Sequence, residues 1–115
     1  LRRAFAEHLE QTKEQVVRLD QVCERLGVKA KGKTCQAMKG LIEEGQEIIA
    51  EDGDPAAKAA ALIGAAQKVE HYEIAGYGTA RTFAEVLGED EVADLLQATL
   101  DEEAAADERL TAVAE

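Results

Sequence analysis

The apolar positions of the chain recur at helical spacing in four separate segments. In the first, over residues 1–27, apolar residues return every three or four positions, a spacing typical of an amphipathic helix in a bundle. Gly27 suits the end of this helix because glycine readily adopts the left-handed conformation that closes helices. The Lys- and Gly-rich stretch GVKAKGKT that starts there is predicted to be a loop.

A second and shorter helix is predicted over residues 34–51. Thr34 can cap its first turn, because a threonine hydroxyl accepts a hydrogen bond from a free backbone N–H group. One face of this segment is apolar and includes Met38, Leu41, Ile42, Gly45, Ile48 and Ile49. The sequence EDGDP then ends it.

Two long helices complete the pattern, over residues 55–87 and 90–114. Asp54 and Pro55 match the N-cap and the first helical position of the third helix, and Gly88 matches its end. The acidic stretch GEDEV places negative charge at the positive end of the fourth helix dipole. The chain is thus predicted to be three long helices with one short helix in a connection.

Composition supports a single all-α domain over residues 1–115. Hydrophobic residues make up 46% of the chain, which is enough for a core. Aromatic residues make up only 3%, and there is a single proline, so helix formers dominate. We find no second domain, repeat or low-complexity tail.

Net charge, the absence of a long apolar run and the cysteine content limit which partners and which compartment we expect. A formal net charge of −11 argues against binding to nucleic acid or to an anionic membrane. No apolar run approaches the ~20 residues that a membrane span needs. Cys23 and Cys35 have no metal-ligand spacing, and we expect both to be reduced and buried, as in a cytoplasmic protein. A disulfide between them is the alternative.

Ionisable side chains occupy apolar faces on three of the helices. At about 100° per residue, Glu70 and Glu73 both fall within the apolar arc of the third helix. Glu103 and Asp107 do so on the fourth helix, and His8 on the first. An isolated buried charge costs several kcal/mol or more, so these groups need partners. Shared protons, buried water or a bound metal ion would each supply them.

Other residues of the third helix are less informative. His71 falls at the margin of the apolar arc, and we expect it to face solvent or an interface. Tyr77 follows Glu73 by one turn, where its hydroxyl could bond to a ligand carboxylate or lie at the edge of the core. Gly76 and Gly78 each cost about 1 kcal/mol relative to alanine in a helix. Close approach of another helix or subunit, or a local bulge, would explain them.

The blocks AFAEHLEQT, GLIEEG, KVEHYEIAGYGT and LLQATLDEEAAADERL resemble the YciE/YciF family of ferritin-like proteins over nearly the whole chain. The resemblance implies an antiparallel four-helix bundle of ferritin type, with the short helix in the long crossover. It also implies a bacterial stress-associated protein that forms a homodimer. Family members have one further bundle helix before the point where this sequence begins, so we expect that helix to be missing here or supplied by another chain.

The family is similar in turn to rubrerythrins, whose di-iron ligands follow a recognisable pattern. Glu70 and Glu73 match its E-x-x-E pair on the third bundle helix, and Glu103 matches the first acid of the fourth. His8 matches the histidine of E-x-x-H. The departures are Phe5, where that motif has its glutamate, and Asp107, where the pattern has a histidine.

Three functional hypotheses follow. The first is a ferritin-like stress protein that binds iron, or manganese or another divalent ion, at Glu70, Glu73, Glu103, His8 and Asp107, with chemistry linked to peroxide or oxygen. The second is a non-enzymatic structural or interaction protein with a vestigial site. The third is a partner-binding helical module with the two glycines, Gly76 and Gly78, in a subunit contact.

Overall fold

Four α-helices account for the secondary structure of the chain. The computed structural model describes all 115 residues. The helices are α1 (Arg2–Leu26), α2 (Gln36–Ala50), α3 (Pro55–Val86) and α4 (Asp90–Ala114). The expected all-α architecture, with a short helix in the connection between two long ones, is confirmed.

Glycines and one aspartate mark the helix ends. Gly27 has φ +69° and Gly88 has φ +74°, in the left-handed region that favours glycine. The Asp54 side chain accepts a hydrogen bond of 3.0 Å from the backbone N–H of Ala57, and Pro55 opens α3. These four predicted signals are therefore present where the pattern indicated.

The start of α2 differs from the expectation. Cys35 is the N-cap residue, and Thr34 lies in the loop before it. The Cys35 thiol lies 2.9 Å from the Tyr72 hydroxyl on α3. The Cys35 N-cap makes no side-chain capping hydrogen bond, so the capping preference of Thr34 does not set the start of α2. The expectation of two buried cysteines is wrong for Cys35, which is exposed, while Cys23 is half-buried and both are free thiols.

Polar contacts define the relative directions of the three long helices. Glu7 pairs with Arg109 and Arg25 pairs with Glu91, so α1 runs antiparallel to α4. Gln67 donates to Thr111, and Arg81 donates to Gln97, so α3 is also antiparallel to α4. The molecule is elongated, 50 × 28 × 21 Å, because α3 alone has 32 residues at about 1.5 Å each.

Eight apolar residues are buried, of which Ala4, Ile63 and Leu110 lie outside the contiguous apolar cluster. That cluster is small and lies toward one end of the helices. It comprises Val22, Ala84, Val92, Ala93 and Leu96, with Tyr77, Ala80 and Leu95 packed against it. Four polar residues are as well buried as the core: Gln15, Glu70, Thr99 and Glu103. By contrast, the end of α3 and the residue that follows it expose large apolar side chains, with Phe83 65%, Val86 80% and Leu87 76% exposed. None of the four helices combines the length and the apolar character required to cross a membrane.

Candidate metal centre

Three helices bring one imidazole and two carboxyl groups together in the middle of the bundle. His8 is on α1, Glu70 on α3 and Glu103 on α4. Glu70 retains 1% of its accessible surface and Glu103 retains none, whereas the His8 side chain is 33% exposed. Each residue lies within a regular helix, so backbone hydrogen bonds hold its Cα in place and the periodicity turns the side chain inward.

The potential ligand atoms of this cluster converge closely. His8 Nε2 lies 2.7 Å from Glu70 Oε1. One ligand atom from each of the three residues can be chosen so that all lie within 4.8 Å of one another. Glu70 Oε2 and both carboxyl oxygens of Glu103 are buried without hydrogen-bond partners. Buried polar atoms are nearly always paired, so these oxygens indicate that a proton, water or cation belongs among them.

Burial and mutual repulsion disfavour the charged state of the carboxyl groups. Burial raises the pKa of Glu103 to about 7, and the neighbouring Glu70 carboxyl adds to the rise. Burial, followed by the adjacent Glu103 carboxyl, raises the pKa of Glu73 to about 8. The pKa of His8 is raised by its contact with the Glu70 carboxylate, against the opposing effect of burial. Without a cation, the cluster therefore retains protons near neutral pH.

Glu73 and Tyr77 lie beside the three central residues. Glu73 is half-buried one turn after Glu70, and its electrostatic neighbours are Glu103 and His8. Tyr77 packs against the apolar core, and burial, with the negative Glu73 as second cause, raises its pKa to about 12. The group of ligand atoms that lie within 4.8 Å of one another does not include Glu73, so its role as a ligand stays a prediction. Tyr77 stays neutral near neutral pH.

Asp107 lies apart from the central cluster. Its Oδ1 is 3.2 Å from His71 Nε2, and the His71 side chain is 67% exposed. Asp107 follows Glu103 by one turn on α4, and its side chain is 21% exposed. Its role as a ligand stays a prediction, and His71 is at the margin that the periodicity indicated.

A polar network that the sequence interpretation missed adjoins Glu103. The Arg18 guanidinium donates to Thr99 Oγ1 at 2.8 Å and to both carboxylate oxygens of Glu102, at 2.6 and 3.2 Å. Gln15 also donates to Glu102, at 3.2 Å, and is 3% exposed. Gln15 follows His8 by two helical turns on the same face, so the periodicity that identified His8 could have identified it. Nothing in the pattern indicates the partners of Arg18.

The whole chain, residues 1–115, matches a family model described as "Domain of unknown function (DUF892)". The chain belongs to the DUF892 family. It is 52% identical over 115 residues to protein YciF of Escherichia coli strain K12, a match that covers 99% of this chain and 69% of that protein. The resemblance to the YciE/YciF family is thereby confirmed.

Two solved structures share the fold. The crystal structure of the E. coli stress protein YciF matches with a TM-score of 0.93 at 52% identity, over 97% of this chain and 71% of that one. YcfI from Rhodopseudomonas palustris is described as a candidate structural protein. It matches with a TM-score of 0.90 at 45% identity, over 95% of this chain and 69% of that one. This chain of the DUF892 family is thus a homologue of a stress protein with the same helical fold.

The donor set of the cluster fits a divalent cation. Carboxylate oxygens with one imidazole nitrogen suit iron and manganese, and thiolates, which favour softer ions, are absent from it. The buried carboxyl oxygens without hydrogen-bond partners support this fit, because a bound cation would give each of them a partner. Glu70, Glu103 and His8 are the residues that would hold it.

Proposed function

We propose that this protein is a ferritin-like stress protein that binds a divalent metal, with iron as the first candidate, between α1, α3 and α4. The observation that carries the proposal is the convergence of His8, Glu70 and Glu103 around buried oxygens without partners. Homology to the stress protein YciF supports the stress-related part of the proposal.

The protein residues have separate tasks in this proposal. Glu70 and Glu103 would supply the main oxygen ligands, His8 the nitrogen ligand, and Glu73 an additional carboxylate. Bound iron would supply redox chemistry toward peroxide or oxygen. Because Glu73 and Glu103 have pKa values raised to about 8 and about 7, metal binding has to displace protons from them. Metal affinity should therefore increase as the pH rises toward 8.

Anaerobic loading with Fe(II) or Mn(II) tests the proposal. Metal retained after desalting is counted by elemental analysis for the parent chain and for the double variant Glu70→Gln/Glu103→Gln. We expect at least one ion per chain for the parent and a loss of at least tenfold in affinity for the variant. Glu108→Gln, an exposed position on α4, is the matched control. Equal loading of all three proteins would exclude a metal site in this cluster.

A second candidate function is a non-enzymatic structural or interaction protein. Two observations favour it: Phe5 stands where the rubrerythrin-type motif has a glutamate, and Asp107 pairs with His71 instead of joining the cluster. In this case the carboxyl groups share protons, and metal ions leave the melting temperature unchanged. A rise in melting temperature on addition of Fe(II) or Mn(II) at millimolar concentration would exclude this candidate.

We also propose a homodimer in the cytoplasm, with the second half of α3 in the contact. The stretch from Ile74 to Ala84 contains no acidic residue in a chain of net charge −11, so two copies can approach there with the least repulsion. A Cβ atom added at Gly76 or Gly78 would meet nothing within 4 Å, so packing inside the chain does not require either glycine. If sedimentation shows an intact dimer for Gly76→Leu/Gly78→Leu, this contact is excluded.

A further inference from the structure

We propose that Gln15 is a positioning residue for Glu103, whose ionised carboxylate its side-chain amide holds in the orientation that metal binding requires. The inference rests on the proposed function and concerns a residue that would not touch the metal itself. Gln15 is on α1, contacts α4 and retains 3% of its accessible surface. A polar side chain that is buried to this extent needs defined hydrogen-bond partners.

The packing of α1 on α4 places Gln15 at the level of Glu103. Two ion pairs near the ends of these helices hold them antiparallel and in register. Between those pairs, Gln15 Nε2 donates to Glu102 Oε1 at 3.2 Å. Glu103 is the next residue along α4 and has no exposed surface. The amide of Gln15 therefore lies beside two consecutive carboxyl groups.

The amide of Gln15 has one more N–H donor than Glu102 uses. A glutamine side chain carries two N–H groups, and one of them points to Glu102. The pKa of Glu103 shows that the amide also acts on that carboxyl group: burial and Glu70 raise this pKa, whereas Glu73 and Gln15 lower it. Neither oxygen of Glu103 has a hydrogen-bond partner in the metal-free chain. The second N–H of Gln15 is thus available to Glu103 once its carboxyl group ionises.

Arg18 keeps the first partner of Gln15 in place. Its guanidinium donates to both oxygens of Glu102, at 2.6 and 3.2 Å, and to Thr99 Oγ1 at 2.8 Å. The same guanidinium holds the pKa of Glu102 below its usual range, so Glu102 remains a charged acceptor. A fixed acceptor on one N–H fixes the plane of the Gln15 amide, and that plane sets the direction of the second N–H.

An N–H donor beside Glu103 acts on metal binding through geometry. It engages one oxygen of the carboxylate, so the other oxygen is left for the cation and the carboxylate group cannot rotate freely. It also offsets part of the negative charge of the cluster without adding a ligand. Contacts of this kind to the ligands of a metal site commonly change metal affinity by about 10–100-fold when they are removed.

Two matched methionine variants test the inference. Methionine is unbranched and close to glutamine in size but has no amide, so Gln15→Met removes both donors while it fills the same space. Gln21→Met makes the same change at an exposed position of α1. By anaerobic equilibrium dialysis with Fe(II) and with Mn(II), we expect Gln15→Met to bind about tenfold more weakly than the parent chain, or weaker still. The affinity of Gln21→Met should stay within about twofold of the parent.

A second measurement, on the parent chain itself, separates positioning from packing. Zn(II) is a diamagnetic divalent ion, so NMR can follow the side-chain amide protons of Gln15 while the site is loaded. We expect one of these two protons to shift downfield on Zn(II) binding, because it then donates to an ionised carboxylate. This measurement needs no variant and decides the question if Gln15→Met does not fold.

Two results would overturn the inference and leave the proposed function intact. One is a Gln15→Met variant that binds metal as tightly as the parent chain. The other is a pair of Gln15 amide protons that do not shift when Zn(II) binds. A parent chain that binds none of Fe(II), Mn(II) and Zn(II) contradicts the proposed function, and the inference falls with it.

Discussion

His8 Nε2 and Glu70 Oε1 lie 2.7 Å apart and connect α1 to α3 in the middle of the bundle. Glu70 is almost fully buried, and the equally buried carboxyl group of Glu103 lies beside it. An ionised His8 can balance one of these carboxylates but not both. The remaining negative charge must be neutralised by protons or by a cation. The stability of the metal-free protein therefore depends on the cluster.

Replacement of Glu103 by leucine should stabilise the metal-free protein. Neither oxygen of the Glu103 carboxyl has a hydrogen-bond partner, and the residue has no exposed surface. An apolar side chain of similar volume removes the cost of burying this group, so we expect the free energy of unfolding to rise by about 1–3 kcal/mol. Urea denaturation of metal-free Glu103→Leu and of the parent measures the difference.

The exposed position Glu108 provides the control for this substitution. Glu108→Leu should change the free energy of unfolding by about 0.5 kcal/mol or less. Destabilisation by Glu103→Leu would show that the carboxyl group makes a favourable interaction in the metal-free protein, contrary to this prediction.

The metal-free protein should lose stability as the pH rises from 5 to 8. Glu73 and Glu103 have pKa values of about 8 and about 7 in the folded state, against 4.5 as the ordinary value. The unfolded chain therefore releases these protons at a lower pH than the folded chain, and the free energy of unfolding falls until the folded-state pKa values are passed. The raised pKa of His8 acts in the same direction above 6.5.

The expected loss is on the order of 3 kcal/mol, measured by urea denaturation at pH 5.5 and pH 8. The acids with lowered pKa values, Glu7 and Glu102, lose their contribution only as the pH falls toward and below 4.5, outside this range. The variant Glu73→Gln/Glu103→Gln should show a much weaker dependence. A parent protein that is more stable at pH 8 would contradict the assigned protonation of the cluster.

Replacement of Arg18 by methionine should destabilise the protein by about 2–3 kcal/mol. Arg18 contacts both oxygens of Glu102 and the hydroxyl of the buried Thr99, so its removal breaks the main polar link between α1 and α4. Arg25→Met removes the exposed pair with Glu91 and should cost less than about 1 kcal/mol. Thermal denaturation ranks the two variants, and an equal effect of both would refute a special role for Arg18.

Two capping substitutions should differ in their effect on stability. Asp54→Ala removes the hydrogen bond to the first turn of α3 and should cost about 1 kcal/mol. Thr34→Ala should change the free energy of unfolding by less than about 0.5 kcal/mol, because Cys35 and not Thr34 is the N-cap of α2. Chemical denaturation of both variants measures the difference, and a larger loss for Thr34→Ala would show that the helix begins one residue earlier.

Local signals were enough to predict the helices and the inward direction of the central acids. Gly27, Gly88 and Asp54 act through their own backbone conformation or the next turn, so their effect does not depend on the rest of the fold. The inward direction of Glu70 and Glu103 also follows from the local sequence, because a helix fixes the angle of each side chain about its own axis.

The sequence by itself thus determined four helices, their principal ends and the faces that carry His8, Glu70 and Glu103. Only the tertiary structure decided which side chains meet: Asp107 lies against His71, Cys35 against Tyr72, and Arg18 against Glu102. The physical reason is that periodicity defines a direction around one helix axis. It contains no information on which helix lies opposite, or on the height at which two helices pack, and those two quantities decide every contact between helices.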